Sequence, residues 1–140
     1  QINRFTGHAR RPYSVAEHSL AVMSRVSDKN RLWALLHDAS EALMGDLITP
    51  IKRGDEHFRE LEGLVMRAVC EHYGLAPAMP GEVHEADMRE QAREARDVLP
   101  FPPAWRTAAP YDDRILPIDV GPPFELVESC FTATLRGLAA

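Results

Sequence analysis

Residues 30–52 read NRLWALLHDASEALMGDLITPIK, and this stretch decides the fold. Leucine and alanine recur at helical spacing through its first half, and a glycine then supplies a C-terminal stop, so we predict a helix over about 30–44. The adjacent pair His37 and Asp38 interrupts the middle of that helix, and Glu41 follows one turn later. Buried polar groups of this kind are normally paired or bound to a ligand, so the stretch also locates a candidate site.

The 3.6-residue period continues along the chain and predicts four further helices. They run from Ser14 to about Ser27, from about Asp55 to Tyr73, from about Gly81 to Leu99 and from about Phe124 to Leu138. Residues 100–123 are dense in proline and are expected to form a long connection. No segment alternates with the period of a strand. We therefore predict an all-α, single-domain bundle of about five or six helices over 1–140, with the functional core in residues 2–100.

Composition restricts the classes of partner. The 140 residues carry a net charge of −5, and an acidic domain without a basic stripe is a poor binder of nucleic-acid polymers. Arg4, Arg10 and Arg11 form one short basic cluster and Lys52 with Arg53 a second; they suit a small anion, or are solvated loop charges. No apolar run approaches the ~20 residues that span a bilayer and no secretory signal is visible, so we expect a cytoplasmic protein without a membrane partner.

A helical wheel separates residues 30–44 into two arcs. The apolar arc contains Leu32, Leu35, Leu36, Ala39 and Leu43. The opposite arc contains Ala34, His37, Asp38 and Glu41. Taken alone, this pattern is typical of a surface helix on which His37 and Glu41 form an exposed ion pair.

Two other predicted helices turn polar groups inward. His18 falls on the same stripe as Val15 and Val22, where a histidine is either a hydrogen-bonded core residue or a ligand. Asp87 lies on the inward stripe of the fourth helix, and Glu94 shares that stripe as a supporting partner of the site or of a buried arginine. Because an unpaired buried carboxylate is costly, these positions indicate charge pairing or metal coordination.

A hairpin that turns near residues 28–29 would bring the two histidines together. His18 lies about ten residues before that turn and His37 about eight after it, so at ~1.5 Å per residue both reach nearly the same depth. With Asp38 and Asp87 they form a mixed nitrogen and oxygen donor set from three helices. Such a set suits one divalent ion with open positions for water and substrate. The spacing does not choose between manganese, cobalt, zinc, iron, nickel and magnesium.

Four stretches give the sequence a family resemblance. They are INRF at 2–5, SVAEHS at 14–19, LHDASEALMGDLITPIKR at 36–53 and HEAD at 84–87. Together they carry an H…HD…D pattern that resembles the HD-domain metal-dependent phosphohydrolases. The surrounding residues are most similar to the bacterial 5′-deoxynucleotidase branch, which is close to phage-type dATP triphosphohydrolases and to small uncharacterised HD proteins.

The resemblance implies a helical bundle that holds one catalytic divalent ion, usually as a homodimer. It implies that the metal ligands are His18, His37, Asp38 and Asp87. It also implies that Glu41 is the catalytic carboxylate beside the attacking water.

Substrate contacts are implied for the residues around this centre. Asp46 would contact the sugar or the leaving oxygen and Arg4 would hold phosphate, while His8 belongs to the same phosphate-gripping segment. Phe5 stands where the nucleotidases carry a tryptophan that packs against the deoxyribose, and Ile48 stands where a proline is usual. The chain departs from the branch at both positions. Phe5 bears on the rejection of ribonucleotides, and Ile48 bears on the wall of the site beside the nucleobase.

The expected activity is hydrolysis of 2′-deoxynucleoside 5′-monophosphates. One alternative is a dNTP triphosphohydrolase, and another is a non-catalytic nucleotide-sensing or interaction module with a structural metal. Glu41 and Asp46 favour catalysis, because structural metal sites are closed and need no additional carboxylates.

Overall fold

The computed structural model describes residues 2–101 and 121–140, and within these ranges the protein is helical and contains no strand beyond an isolated bridge. The α-helices are α1 (Val15–Met23), α2 (Arg31–Leu36), α3 (Glu41–Met44), α4 (Thr49–Gly54), α5 (Glu56–Tyr73), α6 (Gly81–Asp97) and α7 (Phe124–Leu138). Short 3₁₀ turns span Arg4–Gly7 and Asp28–Asn30. The all-α prediction is confirmed, and α2 and α3 are two parts of one predicted helix. Of the predicted connection over 100–123, residues 102–120 lie outside the described ranges.

α1 begins where the sequence predicts and ends earlier. The Ser14 hydroxyl accepts the backbone N–H of Glu17 at 3.1 Å, which is the expected cap. The helix then ends at Met23, about four residues before the predicted end. The Ser24 hydroxyl donates to the carbonyl of Ala21 at 2.7 Å, a local hydrogen bond that competes with continuation of the helix.

The helix predicted over 30–44 is interrupted at its polar pair. α2 ends at Leu36, residues 37–40 form tight turns, and α3 begins at Glu41. In this segment backbone N–H groups bond to carbonyls three residues earlier, as Ala39 does to Leu36 at 3.0 Å and Glu41 to Asp38 at 3.0 Å. This 3₁₀-type pairing winds the chain more tightly than an α-helix and rotates the side chains that follow.

The two-arc prediction holds only in part, because Leu35 and Leu36 of the apolar arc are buried as expected but both arcs contain exceptions. Leu43, assigned to the apolar arc, is 80% exposed, whereas Ala34, His37 and Glu41 of the polar arc are all buried. The exposed ion pair considered for His37 and Glu41 is therefore excluded. The polar side of this segment faces the interior of the protein.

The later helices lie close to their predicted positions. Asp55 caps α5 by accepting the backbone N–H of Phe58 at 2.9 Å, and Gly74 ends the helix in the left-handed region at φ 64°. α4 was not predicted, because a six-residue helix is too short to show a hydrophobic period.

α1 lies at the centre of the packing and contacts α2, α6 and α7. The core consists of Val22, Met23, Trp33, Ala34, Leu35, Cys70, Val83 and Ala86. From α7, Val127 is buried and Phe131 packs against this core. This arrangement turns the inward faces of α1 and α6 toward the interrupted helix, which positions the site. None of the helices in the described ranges is long and apolar enough to cross a membrane.

Candidate metal centre and adjoining cavity

Four side chains from three parts of the fold meet at one point. The Nε2 atoms of His18 on α1 and His37 after α2 lie 3.1 Å apart. Asp38 Oδ2 lies 3.2 Å from Nε2 of His37 and 3.6 Å from Nε2 of His18. Asp87 Oδ1, on α6, lies 3.2 Å from Nε2 of His18 and 3.8 Å from Nε2 of His37. The structure thus brings together all four residues that the sequence nominates as ligands.

Hydrogen bonds on the opposite ring nitrogens define which nitrogen carries the proton in each neutral imidazole. His37 Nδ1 lies 2.7 Å from the carbonyl oxygen of Ala34, and His18 Nδ1 lies 2.5 Å from Oε1 of Glu94. A carbonyl and a carboxylate only accept hydrogen bonds, so both Nδ1 atoms carry the donated proton. In the neutral imidazoles both Nε2 atoms therefore hold lone pairs, and these lone pairs face each other.

The meeting of two lone pairs and two carboxylates requires positive charge at its centre. Protons can supply it: burial lowers the pKa of His37, but Asp38 and Asp87 raise it to about 10. Burial likewise lowers and Glu94 raises the pKa of His18, with a net upward shift. A divalent cation can also supply it, and nitrogen with carboxylate oxygen is the donor set that such ions take. His18, His37 and Asp38 have ligand atoms within 4.8 Å of one another and could hold a metal ion.

The carboxylates of the centre are ionised and oriented. Burial opposes ionisation of Asp87, but hydrogen bonds and the charges of His18 and His37 move its pKa well below the ordinary range. The pKa of Asp38 is lowered in the same way: burial raises it, but the charge of His37 is the main effect that lowers it. Gln91, one turn beyond Asp87 on α6, donates to both of its carboxylate oxygens at 2.9 and 3.0 Å. This contact holds Asp87 in place from the side.

A cavity of about 340 Å³ opens beside the centre. The candidate ligands Asp38 and Asp87 share its wall with Arg4, Glu41, Asp46 and Lys52. Both charge types therefore line one space: carboxylates near the histidines, and two cations that an anionic ligand would meet. A volume of this order is within the range of small-molecule sites.

Glu41 is the carboxyl group of the cavity best suited to proton transfer. It is buried, and among the described residues its Oε2 has no hydrogen-bond partner. Burial, together with the charges of Asp38 and Asp46, raises the pKa of Glu41 to about 8. A carboxyl group with such a pKa can take up or release a proton near neutral pH.

Arg4 is buried between two carboxylates at the wall of the same cavity. Its Nε donates to Glu94 Oε2 at 3.1 Å and its Nη1 to Asp38 Oδ2 at 3.2 Å. Burial lowers its pKa, but Glu94 and Asp38 more than offset this, so the guanidinium stays charged. Arg4 therefore connects the N-terminal segment directly to a candidate ligand.

The segment after Arg4 is held in a strained conformation at the cavity rim. Phe5 and Thr6 adopt φ values of 55° and 50°, in the left-handed region that non-glycine residues seldom occupy. Asp46 accepts the backbone N–H of Phe5 at 3.2 Å and so fixes this turn. The positions predicted for Phe5 and Asp46 beside the substrate are compatible with this placement.

Two curated proteins resemble the chain in sequence. The uncharacterised protein YfdR of Escherichia coli (strain K12) is 37% identical over 97 residues, which cover 69% of this chain and 54% of YfdR. An uncharacterised protein of Rhodobacter capsulatus is 36% identical over 138 residues, covering 86% of this chain and 70% of that protein. The chain belongs to the family of this Rhodobacter protein. No family model matches it, and the alignment with YfdR spans about half the length of that relative.

Both relatives are named as uncharacterised, so membership of the family does not assign an activity. The alignment with the Rhodobacter relative covers most of this chain, whereas the whole of YfdR is considerably longer than the matched part. The chemistry of the site must therefore be argued from the chain's own residues.

The structure does not bring His8 to the site. This side chain is exposed, and its Nδ1 lies 2.8 Å from the Thr6 hydroxyl and 3.3 Å from the Phe5 carbonyl oxygen. It does not belong to the described residues that line the cavity.

Lys52 is a cavity residue that the sequence did not assign. The sequence marks it only as part of a basic pair, because the direction of its side chain depends on α4, which no periodic pattern indicates. Lys52 lines the cavity and forms an ion pair with Glu62 on α5. Gln91 is the other site residue that the sequence did not assign. Its position four residues after Asp87 on a predicted helix was the available signal, because side chains at this spacing are neighbours.

Proposed function

We propose that this protein is a metal-dependent phosphohydrolase that acts on nucleotides, with 2′-deoxynucleoside 5′-monophosphates as substrates. The main support is the approach of two imidazole Nε2 atoms to 3.1 Å, because the hydrogen bond at each Nδ1 leaves Nε2 as the nitrogen that can bind a cation. Beside them lie a carboxyl group suited to proton transfer and two cations in one cavity. The family resemblance of the motifs supplies the nucleotide as substrate class.

His18, His37, Asp38 and Asp87 are the residues that would hold the cation, which we expect to be manganese, cobalt, zinc, iron, nickel or magnesium. When bound, a divalent ion at this point would offset charge on a phosphate and lower the pKa of a water. Glu41 accepts a proton from the attacking water as the oxygen of that water forms a bond to phosphorus. The bond between phosphorus and the 5′ oxygen breaks, and the nucleoside leaves with a proton taken from solvent.

The cations of the cavity orient the phosphate. Arg4 is fixed by Asp38 and Glu94, so its position is set before substrate arrives. Lys52 is fixed by Glu62 on a different helix. Preset positive charges of this kind stabilise a transferring phosphoryl group without the cost of rearranging at the moment of reaction.

Lys52 also favours a second candidate, a dNTP triphosphohydrolase, because a further cation in the cavity can meet a longer phosphate chain. Purified protein incubated with dAMP and with dATP, across Mn²⁺, Co²⁺, Zn²⁺ and Mg²⁺, separates the two. Inorganic phosphate from dAMP supports the nucleotidase, and triphosphate from dATP supports the alternative. A nucleotide-induced thermal shift without any product would instead support a sensing module and refute both enzymatic assignments. The homodimer and the cytoplasmic location stay part of this proposal.

Arg4→Lys is expected to raise the KM for nucleotide about 10- to 100-fold, the effect of losing one or two charge-assisted hydrogen bonds. Lysine keeps the charge but lacks the planar fork that binds phosphate and carboxylate oxygens together. Steady-state kinetics with dAMP measure the change. Arg10→Lys, at an exposed arginine of the same segment, is the control and should leave KM unaltered. An unaltered KM in Arg4→Lys would remove Arg4 from phosphate binding.

A further inference from the structure

Glu94 is a fully buried carboxylate that receives three hydrogen bonds. His18 Nδ1 lies 2.5 Å from its Oε1, and the Tyr13 hydroxyl donates to the same oxygen at 2.9 Å. Arg4 Nε donates to its Oε2 at 3.1 Å. Tyr13 and His18 are themselves buried. Three donors on one carboxylate satisfy its charge inside the protein and fix both of its oxygens.

The same helix supplies Asp87 and Glu94, seven residues and about two turns apart on one face of α6. Asp87 approaches Nε2 of His18, and Glu94 holds Nδ1 of the same ring. α6 therefore contacts both nitrogens of one imidazole. Arg4 extends the arrangement, since it joins Glu94 to Asp38 through two different nitrogens.

We infer that Glu94 is the positioning residue of the metal centre: it sets the tautomer and the direction of His18 so that Nε2 points at the cation. This inference rests on the metal centre of the proposed function, but on none of its assumptions about substrate. A carboxylate that accepts the Nδ1 proton of a metal-binding histidine prevents ring rotation and makes Nε2 more basic. Because Arg4 donates to Oε2 and Tyr13 to Oε1, the direction of the carboxylate does not depend on the ion.

The chain offers a matched comparison within the same helix. Glu90 is also fully buried on α6, one turn before Glu94, and it too is paired with arginine, through Arg25 and Arg93. Glu90 and Glu94 thus share burial, helix and charge pairing, and differ in that Glu94 also bonds Tyr13 and His18. If Glu94 were only a structural ion pair, Glu90→Gln and Glu94→Gln would affect the protein alike.

The test measures metal binding in the full chain, with Co²⁺ as the probe. Glu94→Gln is expected to weaken Co²⁺ binding about 10- to 100-fold and to shift the visible absorption of bound cobalt, while Glu90→Gln leaves both as in the wild type. Urea denaturation of the two variants reports the loss of stability separately. Equal Co²⁺ affinity in Glu94→Gln and the wild type, or an equal loss in Glu90→Gln, would overturn the inference.

A measurement on the unsubstituted protein covers the case in which Glu94→Gln does not fold. Nitrogen-15 NMR of the Zn²⁺-loaded protein, labelled at histidine, should show His18 with its proton on Nδ1 and its Nε2 free of hydrogen. A His18 proton on Nε2 overturns the role of Glu94. Protein that binds Co²⁺ with these properties but hydrolyses none of the nucleotides would refute the proposed function and leave this inference supported.

Discussion

His37→Ala is expected to leave the protein without a stoichiometrically bound divalent ion. The substitution removes one of two Nε2 atoms that lie 3.1 Å apart, and this same atom lies 3.2 Å from Asp38 Oδ2. With one nitrogen and two carboxylates left, the site has lost one of its two imidazole donors, and a water in its place would not be anchored to the protein. Elemental analysis after dialysis against Mn²⁺ or Co²⁺ measures the change.

Thermal unfolding gives an independent readout of the same prediction. A ligand that binds only the folded state stabilises it by about 2.7 kcal/mol at one hundred times its dissociation constant. The wild type should therefore gain melting temperature on addition of Co²⁺, and His37→Ala should gain none. His84→Ala, at an exposed histidine of α6 three residues before Asp87, is the control and should behave as the wild type. Unchanged metal content in His37→Ala would contradict the ligand assignment.

The sequence predicted the convergence of the site because depth along a hairpin depends on residue number alone. His18 lies on an apolar stripe and His37 at a matching distance past the turn, and the structure places their Nε2 atoms at hydrogen-bond distance. The inward position of Asp87 was predicted for a related reason. A carboxylate on the apolar stripe of a long helix is directed toward the interior with that stripe. Long periodic helices therefore carried most of the predictable information.

The sequence did not predict how the chain winds between α2 and α3. Whether a backbone N–H bonds to the carbonyl three or four residues earlier depends on the packing around it. Around residues 37–40 the bonds reach three residues back, and after this turn Leu43 is exposed and Glu41 is buried. The short α4 and the strained turn at Phe5 could not be predicted from the sequence either, because they also depend on surrounding contacts. Both are stabilised by contacts from distant residues, such as Glu62 to Lys52 and Asp46 to Phe5.

Glu41→Gln is expected to lower kcat by about 10²- to 10⁴-fold, the usual contribution of a general base, while the metal content stays as in the wild type. Glutamine keeps the shape of the side chain but cannot accept a proton from water. The four residues that meet at the centre are untouched, so binding of the ion should be unaffected. Single-turnover assays with dAMP, alongside elemental analysis, separate the chemical step from metal loss.

The surroundings of Glu41 allow Glu41→Gln to test the catalytic step without a loss of folding stability. Among the described residues Oε2 lacks a hydrogen-bond partner, so no contact that the structure shows for this oxygen is broken by the substitution. The raised pKa leaves this carboxyl largely neutral at pH 7, and glutamine is neutral at every pH, so the substitution buries no additional charge. We therefore expect urea denaturation to show equal or greater stability in Glu41→Gln. Glu85→Gln, at an exposed position of α6, is the matched control. Wild-type turnover in Glu41→Gln would exclude Glu41 as the base and require another acceptor for the proton of the attacking water.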